Sequence, residues 1–375
     1  MCRPRRKVRG TLDRGTYTNK LTGKGTLTIY CPVVIGSGWA ATRTQIQDNW
    51  SEFEGTISCK VHSSDTRFTL DNSYGMPKGT LSIASGIEVQ NSGKTYHVGK
   101  VAGTGSLGGS CSFSNGSTPG PNTWKVGNEE NWTWGGKVTS NANWIKVGSG
   151  KLTYSGNSNN TGSCTISEGE LLLSSGVLGS GSLTVSQVAT LSGTNKETSP
   201  LKNSSFNING TVRPGSTATA YSGTIFFGGK NVNFYEGSVL EIRARQCALQ
   251  SYDGCTSIAG IATLNMNGII RVTVTDDNKL AAGDSIRIWH AEAMTGTPVL
   301  ELPAAFVWDT SRLSEGLLFV VSVDEGISTV LAPRHESGDI YDIRGRLVRK
   351  EGTSTQGLAP GVYIRNGRKF VVKCF

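Results

Sequence analysis

Residues 146–193 read KVGSGKLTYSGNSNNTGSCTISEGELLLSSGVLGSGSLTVSQVATLSG, and the reading of this stretch decides the fold. It holds short runs of strand character: Lys151-Leu-Thr-Tyr154, Ser163-Cys-Thr-Ile166, Glu170-Leu-Leu-Leu173 and Ser182-Leu-Thr-Val185. Each is closed by Gly, Asn or Ser. None could bury its apolar side alone, so successive runs must stack. Short strands at regular spacing with Gly and Asn corners fit a solenoid, a sandwich or a barrel. The phrase Gly-Ser-Gly-x-Leu-Thr, present at 148–153 and again at 179–184, favours the solenoid.

The same stretch resembles the passenger-associated repeat of bacterial autotransporters. That family reads roughly as a glycine, a Leu-Thr-Leu strand, a Gly-Asn-x-x-Thr-Gly turn and a strand ending in Gly-x-Leu. Its parts correspond here to 150–154, 156–162 and 165–171. The resemblance implies a right-handed single-stranded parallel β-helix at a cell surface.

Working outward, the pattern reaches back towards the start. The phrase Lys24-Gly-Thr-Leu-Thr-Ile29 returns as Lys78-Gly-Thr-Leu-Ser-Ile83, and turn signals between 72 and 93 divide the runs at intervals of about ten residues. Each interval fits one side of a coil. Because residues 15–30 already read as a coil with no cap before them, the sequence suggests a chain continuing upstream. Residues 103–122 are rich in Gly and Ser and end in Ser117-Thr-Pro-Gly-Pro-Asn122, a loop at the flank of the column. From 203 to 274 the alternation of apolar and polar residues is at its most regular. Residues 1–279 are therefore expected to form β-helix coils.

Residues 280–323 change character, with 280–289, 296–303, Trp308-Asp-Thr-Ser-Arg-Leu313 and 316–323 as separate strand-like pieces. They are similar to the closing segment of autotransporter-type passengers, which implies a cap over the open apolar end. After a linker at 324–337 come Ile340-Tyr-Asp-Ile-Arg-Gly-Arg-Leu-Val348, Gly357-Leu-Ala-Pro-Gly-Val-Tyr-Ile364 and Asn366-Gly-Arg-Lys-Phe-Val-Val-Lys373, a small antiparallel β module at 338–375. This module resembles the C-terminal sorting domain (type A) of cargo of the Bacteroidetes type IX secretion system. Tyr341, Asp342, Gly345, Arg346, Gly361, Tyr363 and Lys373 carry the match. The family stops at or soon after the last lysine, whereas this chain adds Cys374 and Phe375. The resemblance implies export by, and contact with, that secretion machinery, and so a secreted or outer-membrane, cell-surface location.

Composition agrees with a stacked β architecture: 49 glycines, 17% charged residues and no run with helical periodicity and caps. The net charge of +9 gathers at 3–9 and 344–373, so the middle is close to neutral and no nucleic-acid motif accompanies it. The 8 cysteines lack the close pairs of a zinc site, and only Cys247 and Cys255 lie near each other, as a disulfide in an oxidising compartment or as buried apolar fillers. His62, His97, His290 and His335 are too far apart to suggest a metal cluster. No stretch has the length to cross a bilayer, and the first ten residues lack the apolar segment of a signal peptide.

For chemistry the residues offer two leads. Carboxylates at Asp276 with Asp277, Glu129 with Glu130, and Asp253 are the candidates for polysaccharide cleavage, but adjacent carboxylates in a strand face opposite ways and form no acid–base pair. Trp124, Trp132, Trp134 and Trp144 are the better lead: indole rings stack on sugars and equally fill β cores. Asn157, Asn159 and Asn160 read as a stacked corner. No phosphate loop, nucleophile elbow or kinase signature is present, and no cofactor or metal is expected. The expected function is a non-catalytic secreted or surface β-helix with a structural and adhesive role, binding polysaccharide or host-surface glycans. The alternative is a β-helical polysaccharide lyase or glycoside hydrolase, or an accessory part of one.

Overall fold

The computed structural model describes residues 16–17, 20–31, 45–46, 48–61, 66–70, 74–91, 93–110, 120–215, 223–244, 256–274, 280–323, 338–350, 354–365 and 368–373. Two compact units divide the chain, Met1–Val323 and Asp324–Phe375.

The first unit is a parallel β-helix. Its strands alternate inward apolar and outward polar residues, as Lys151–Tyr154 does with Leu152 and Tyr154 buried. A strand of this length buries two side chains at most, so its neighbours above and below must supply the rest of the core. They do so in parallel register. A long sheet of twelve strands begins at Thr26–Cys31 and ends at Trp289–Thr295. A second sheet of eight strands starts at Trp132–Trp134 and ends at Val299–Glu301, and six short strands form a third beside the earlier coils.

Down the long sheet, one inward row runs Tyr96, Trp124, Trp144, Cys164, Leu183, Phe206, Val232, Leu264, Met294. The coil therefore recurs every 19 or 20 residues from Trp124 to Leu183, and at 23 to 32 residues beyond. The additional residues lie between the paired positions, so the ladder itself keeps its spacing.

Register also sorts the repeated phrases. Thr26, Leu27 and Ile29 align through Thr56, Ile57 and Cys59 with Thr80, Leu81 and Ile83, so that echo is two coils of one sheet. The Gly-Ser-Gly-x-Leu-Thr echo is different: Leu152 pairs with Leu171 in the second sheet, whereas Leu183 pairs with Cys164 in the long sheet. That phrase marks two different corners and not one repeated rung.

Glycine is needed where one coil's backbone presses on the next. A Cβ at Gly156 would stand 1.7 Å from the Gly136 carbonyl oxygen, and one at Gly150 would stand 2.0 Å from that of Glu130. Here the bare Cα is what permits rung spacing.

Residues 280–323 do two things. Trp289–Thr295 and Val299–Glu301 add the last parallel rungs, so coil pairing continues past 279. Ser285–Arg287, Leu317–Val323 and Phe306–Asp309 then form an antiparallel sheet of three strands. Its Ile286, Leu318 and Val320 are buried in the same core as the coils, closing the apolar interior.

The second unit is a four-stranded antiparallel sheet of Ile340–Asp342, Leu347–Arg349, Gly361–Arg365 and Arg368–Val372.

Candidate functional site

The tryptophans are core. Trp124, Trp134 and Trp144 are at most 1% exposed, and they pack with Tyr96 and Tyr154 at ring separations of 5.1 to 5.9 Å. The Trp124 indole N–H donates to the Gly108 carbonyl at 2.8 Å. No sugar ring can reach these three, so of the two roles open to an indole they serve core packing. Trp132, half-buried at the first rung of the second sheet, keeps one partly open face.

The second inward row of the long sheet holds a residue whose type, and not its place in the alternation, argues against burial. It runs Val98, Val126, Lys146, Ile166, Val185, Ile208. Lys146 is 1% exposed among these aliphatics. Its ammonium donates to the carbonyl oxygens of Gly148 at 2.6 Å, Glu168 at 3.0 Å and Gly150. It also stands 5.7 Å from the centre of the Trp132 ring. Burial pulls its pKa down from 10.5 to about 8, against the opposing pull of the Glu168 and Glu170 carboxylates. The charge is tolerated because the corner's carbonyls replace its water. Lys146 thus staples the turn between the two main sheets.

Over that turn lies an open groove of about 840 Å³ that crosses successive coils. Lys24, Glu54, Lys78, His97, Glu129, Glu130, Gly148 and Glu168 are among its lining residues. Most of its charge is already paired: Lys24 with Glu54 at 3.2 Å, Lys78 with Glu52 at 2.7 Å, and Lys100 with Glu130. The Lys78 hydrogen bond and charge hold the Glu52 carboxyl below its usual range. His97 Nε2 is 2.9 Å from the Gly127 carbonyl oxygen. Glu129 and Glu168 are the groove carboxylates outside any ion pair among the described residues.

Of the adjacent carboxylates named from sequence, Glu129 and Glu130 both reach this groove, while Asp253, Asp276 and Asp277 lie outside the described residues. So do Cys247 and Cys255, His62 and His335. Cys164 is buried and its thiol is pushed up to about 12 by desolvation, which makes it an inert filler. Of the three corner asparagines, Asn160 turns inward and donates to the Ala142 and Gly162 carbonyls, whereas Asn157 and Asn159 are exposed. Among the described residues no cluster of His, Cys, Asp and Glu could hold a metal ion, and no helix is long and apolar enough to cross a membrane.

The C-terminal match residues take distinct roles. Asp342 organises the first hairpin: its carboxylate accepts from the backbone N–H of Arg344 at 2.9 Å and Arg346 at 3.0 Å and from the Arg346 side chain at 2.8 Å. These contacts, the Arg346 backbone foremost, hold the carboxyl below its usual range. Gly345 takes the left-handed φ of +74° that this turn requires. Tyr363 is buried, donates to the Ala359 carbonyl at 2.8 Å and packs on Phe370. Tyr341 and Lys373 are exposed, and Gly361 begins the third strand. Tyr341, Leu347, Val362 and Val371 expose apolar surface, with Tyr341 paired to Leu347 and Val362 to Val371.

No protein-family model matches the sequence, and no curated protein is similar to it.

Proposed function

We propose that this chain is a non-catalytic, exported surface protein whose β-helix binds polysaccharide along its flank and whose C-terminal module is read by a type IX-type secretion machinery. The observation that carries the glycan reading is the groove: it is open, it crosses many coils, and its Glu54 and Glu130 are held in ion pairs. A long chain ligand suits a groove that repeats with the coils. The exposed apolar strand residues of the module support its reading as a contact surface, and its buried Ile340 and Tyr363 with the hydrogen-bonded Asp342 turn support its reading as a self-contained signal.

Screening the purified chain on a glycan array tests the binding, with binding expected and weakened in the Glu129→Gln/Glu168→Gln double variant. An array blank for the wild type would remove the reading. A second reading, polysaccharide cleavage, would use Glu129 and Glu168 beside His97. Release of reducing ends or unsaturated sugars from pectins and glycosaminoglycans would establish it in place of the first. Export is tested by expressing the full chain with and without residues 338–375 in a type IX-competent host. Surface or medium recovery should depend on the module, and equal recovery would refute its role.

A further inference from the structure

The outer face of the long sheet differs in kind from the other outer faces of the same coils. Five consecutive rungs read Ser163-Cys-Thr-Ile-Ser167, Ser182-Leu-Thr-Val-Ser186, Ser205-Phe-Asn-Ile-Asn209, Asn231-Val-Asn-Phe-Tyr235 and Thr263-Leu-Asn-Met-Asn267. In each, the second and fourth residues are buried and the first, third and fifth face out. Register stacks Thr165, Thr184, Asn207, Asn233 and Asn265 in one outward row. Backbone bonds carry the ladder one residue further, through Ser167, Ser186, Asn209, Tyr235 and Asn267. Apart from Tyr235, every outward position of these rungs is Ser, Thr or Asn, and none carries a charge.

A solvated face normally mixes charges of both signs. The second sheet of the same coils does so: Arg213 bridges Glu170 at 3.1 Å and Glu241 at 3.9 Å, and Arg271 pairs with Glu301 at 2.6 Å. The uncharged face is thus a property of these five rungs of the long sheet, since earlier rungs of that sheet carry His97 and Lys125 outward. With rungs about 4.8 Å apart and residues about 3.3 Å apart along each, it measures roughly 19 Å by 13 Å.

We infer that this face is a binding platform for an extended, uncharged polysaccharide, with Tyr235 as its stacking aromatic, an inference that rests on the glycan reading above and names the ligand class. Hydroxyls and amides offer both donors and acceptors, which matches sugar hydroxyls, and they lose water at far lower cost than charged groups. The array is ordered in advance: Asn265 donates to Asn233 at 2.5 Å, and Thr295 donates to Asn265. Tyr235 is 45% exposed, and its hydroxyl donates to Asn207 Oδ1 at 3.2 Å, so the ring is anchored across a coil boundary. An aromatic ring on a neutral amide surface offers a sugar both an apolar face to stack on and partners for its hydroxyls.

The test is co-sedimentation of the full chain with microcrystalline cellulose, insoluble xylan and mannan, with polygalacturonate beads as the anionic comparator, at low salt and at about 1 M NaCl, where charge attraction is screened within about 3 Å. Retention on a neutral glycan at high salt is expected. Thr184→Lys and Tyr235→Ala should each weaken it about tenfold with an unchanged thermal melt, both sites being at the surface. Retention on polygalacturonate alone would overturn the platform and leave the groove reading standing. So would neutral-glycan retention lost in Glu129→Gln/Glu168→Gln but kept in both platform variants.

Discussion

Lys146 shows how position outranks residue type. Alternation from Trp144 places Lys146 on the same inward side, a signal present in Trp144-Ile-Lys146 and overridden by the habit of reading lysine as surface. Since its pKa is near 8 when folded against 10.5 in the free side chain, the unfolded chain holds more protons between those values. Stability should therefore rise with pH from about 8 to 10.5, and that rise should vanish in Lys146→Met, checked by thermal melts of both proteins across the window. At pH 7 the same variant strips a charged donor from three carbonyls and should cost on the order of 2 kcal/mol in urea unfolding. Trp144→Ala, in the aromatic core, should cost about 3–5 kcal/mol. A loss of glycan binding without loss of stability there would contradict the packing role. Trp124, Trp134 and Trp144 take the packing role of the two that an indole can serve, because strand alternation puts rings on one face without saying whether that face is in or out.

At the scale of strand and corner, the sequence was legible in kind and less so in pairing. Period-two alternation identifies the strands because inward positions must be apolar. Register is another matter: 148–153 and 179–184 look alike yet serve the second sheet and the long sheet, since every corner in a stacked coil needs glycine. The platform motif was readable as Ser-x-Thr-x-Ser repeated with Asn replacements, but only register shows that these strings lie on adjacent rungs. Corner glycines also differ among themselves. Gly156→Ala meets the Gly136 carbonyl and should destabilise by at least about 2 kcal/mol. Gly25→Ala, with open space around it, should shift stability by no more than about 1 kcal/mol, towards the folded state. Denaturant midpoints for the pair test whether rung contact or backbone freedom governs these sites.

For the molecule as a whole, the division at Val323 coincides with the start of the linker read at 324–337, while the change of character at 280 marks the closing segment of the first unit. Residues 1–323 expressed alone should keep the β-sheet circular dichroism and melting temperature of the full chain. A collapsed spectrum would mean that the column depends on the module. The cap has a further consequence. A pile of like-handed rungs is a template for its own lengthening, since its last open edge invites the first rung of another molecule. The reversed strands at 285–287, 306–309 and 317–323 form a sheet of their own and withdraw the greasy interior behind Leu318 and Val320. A second copy therefore meets an end of the coils whose apolar interior is already covered.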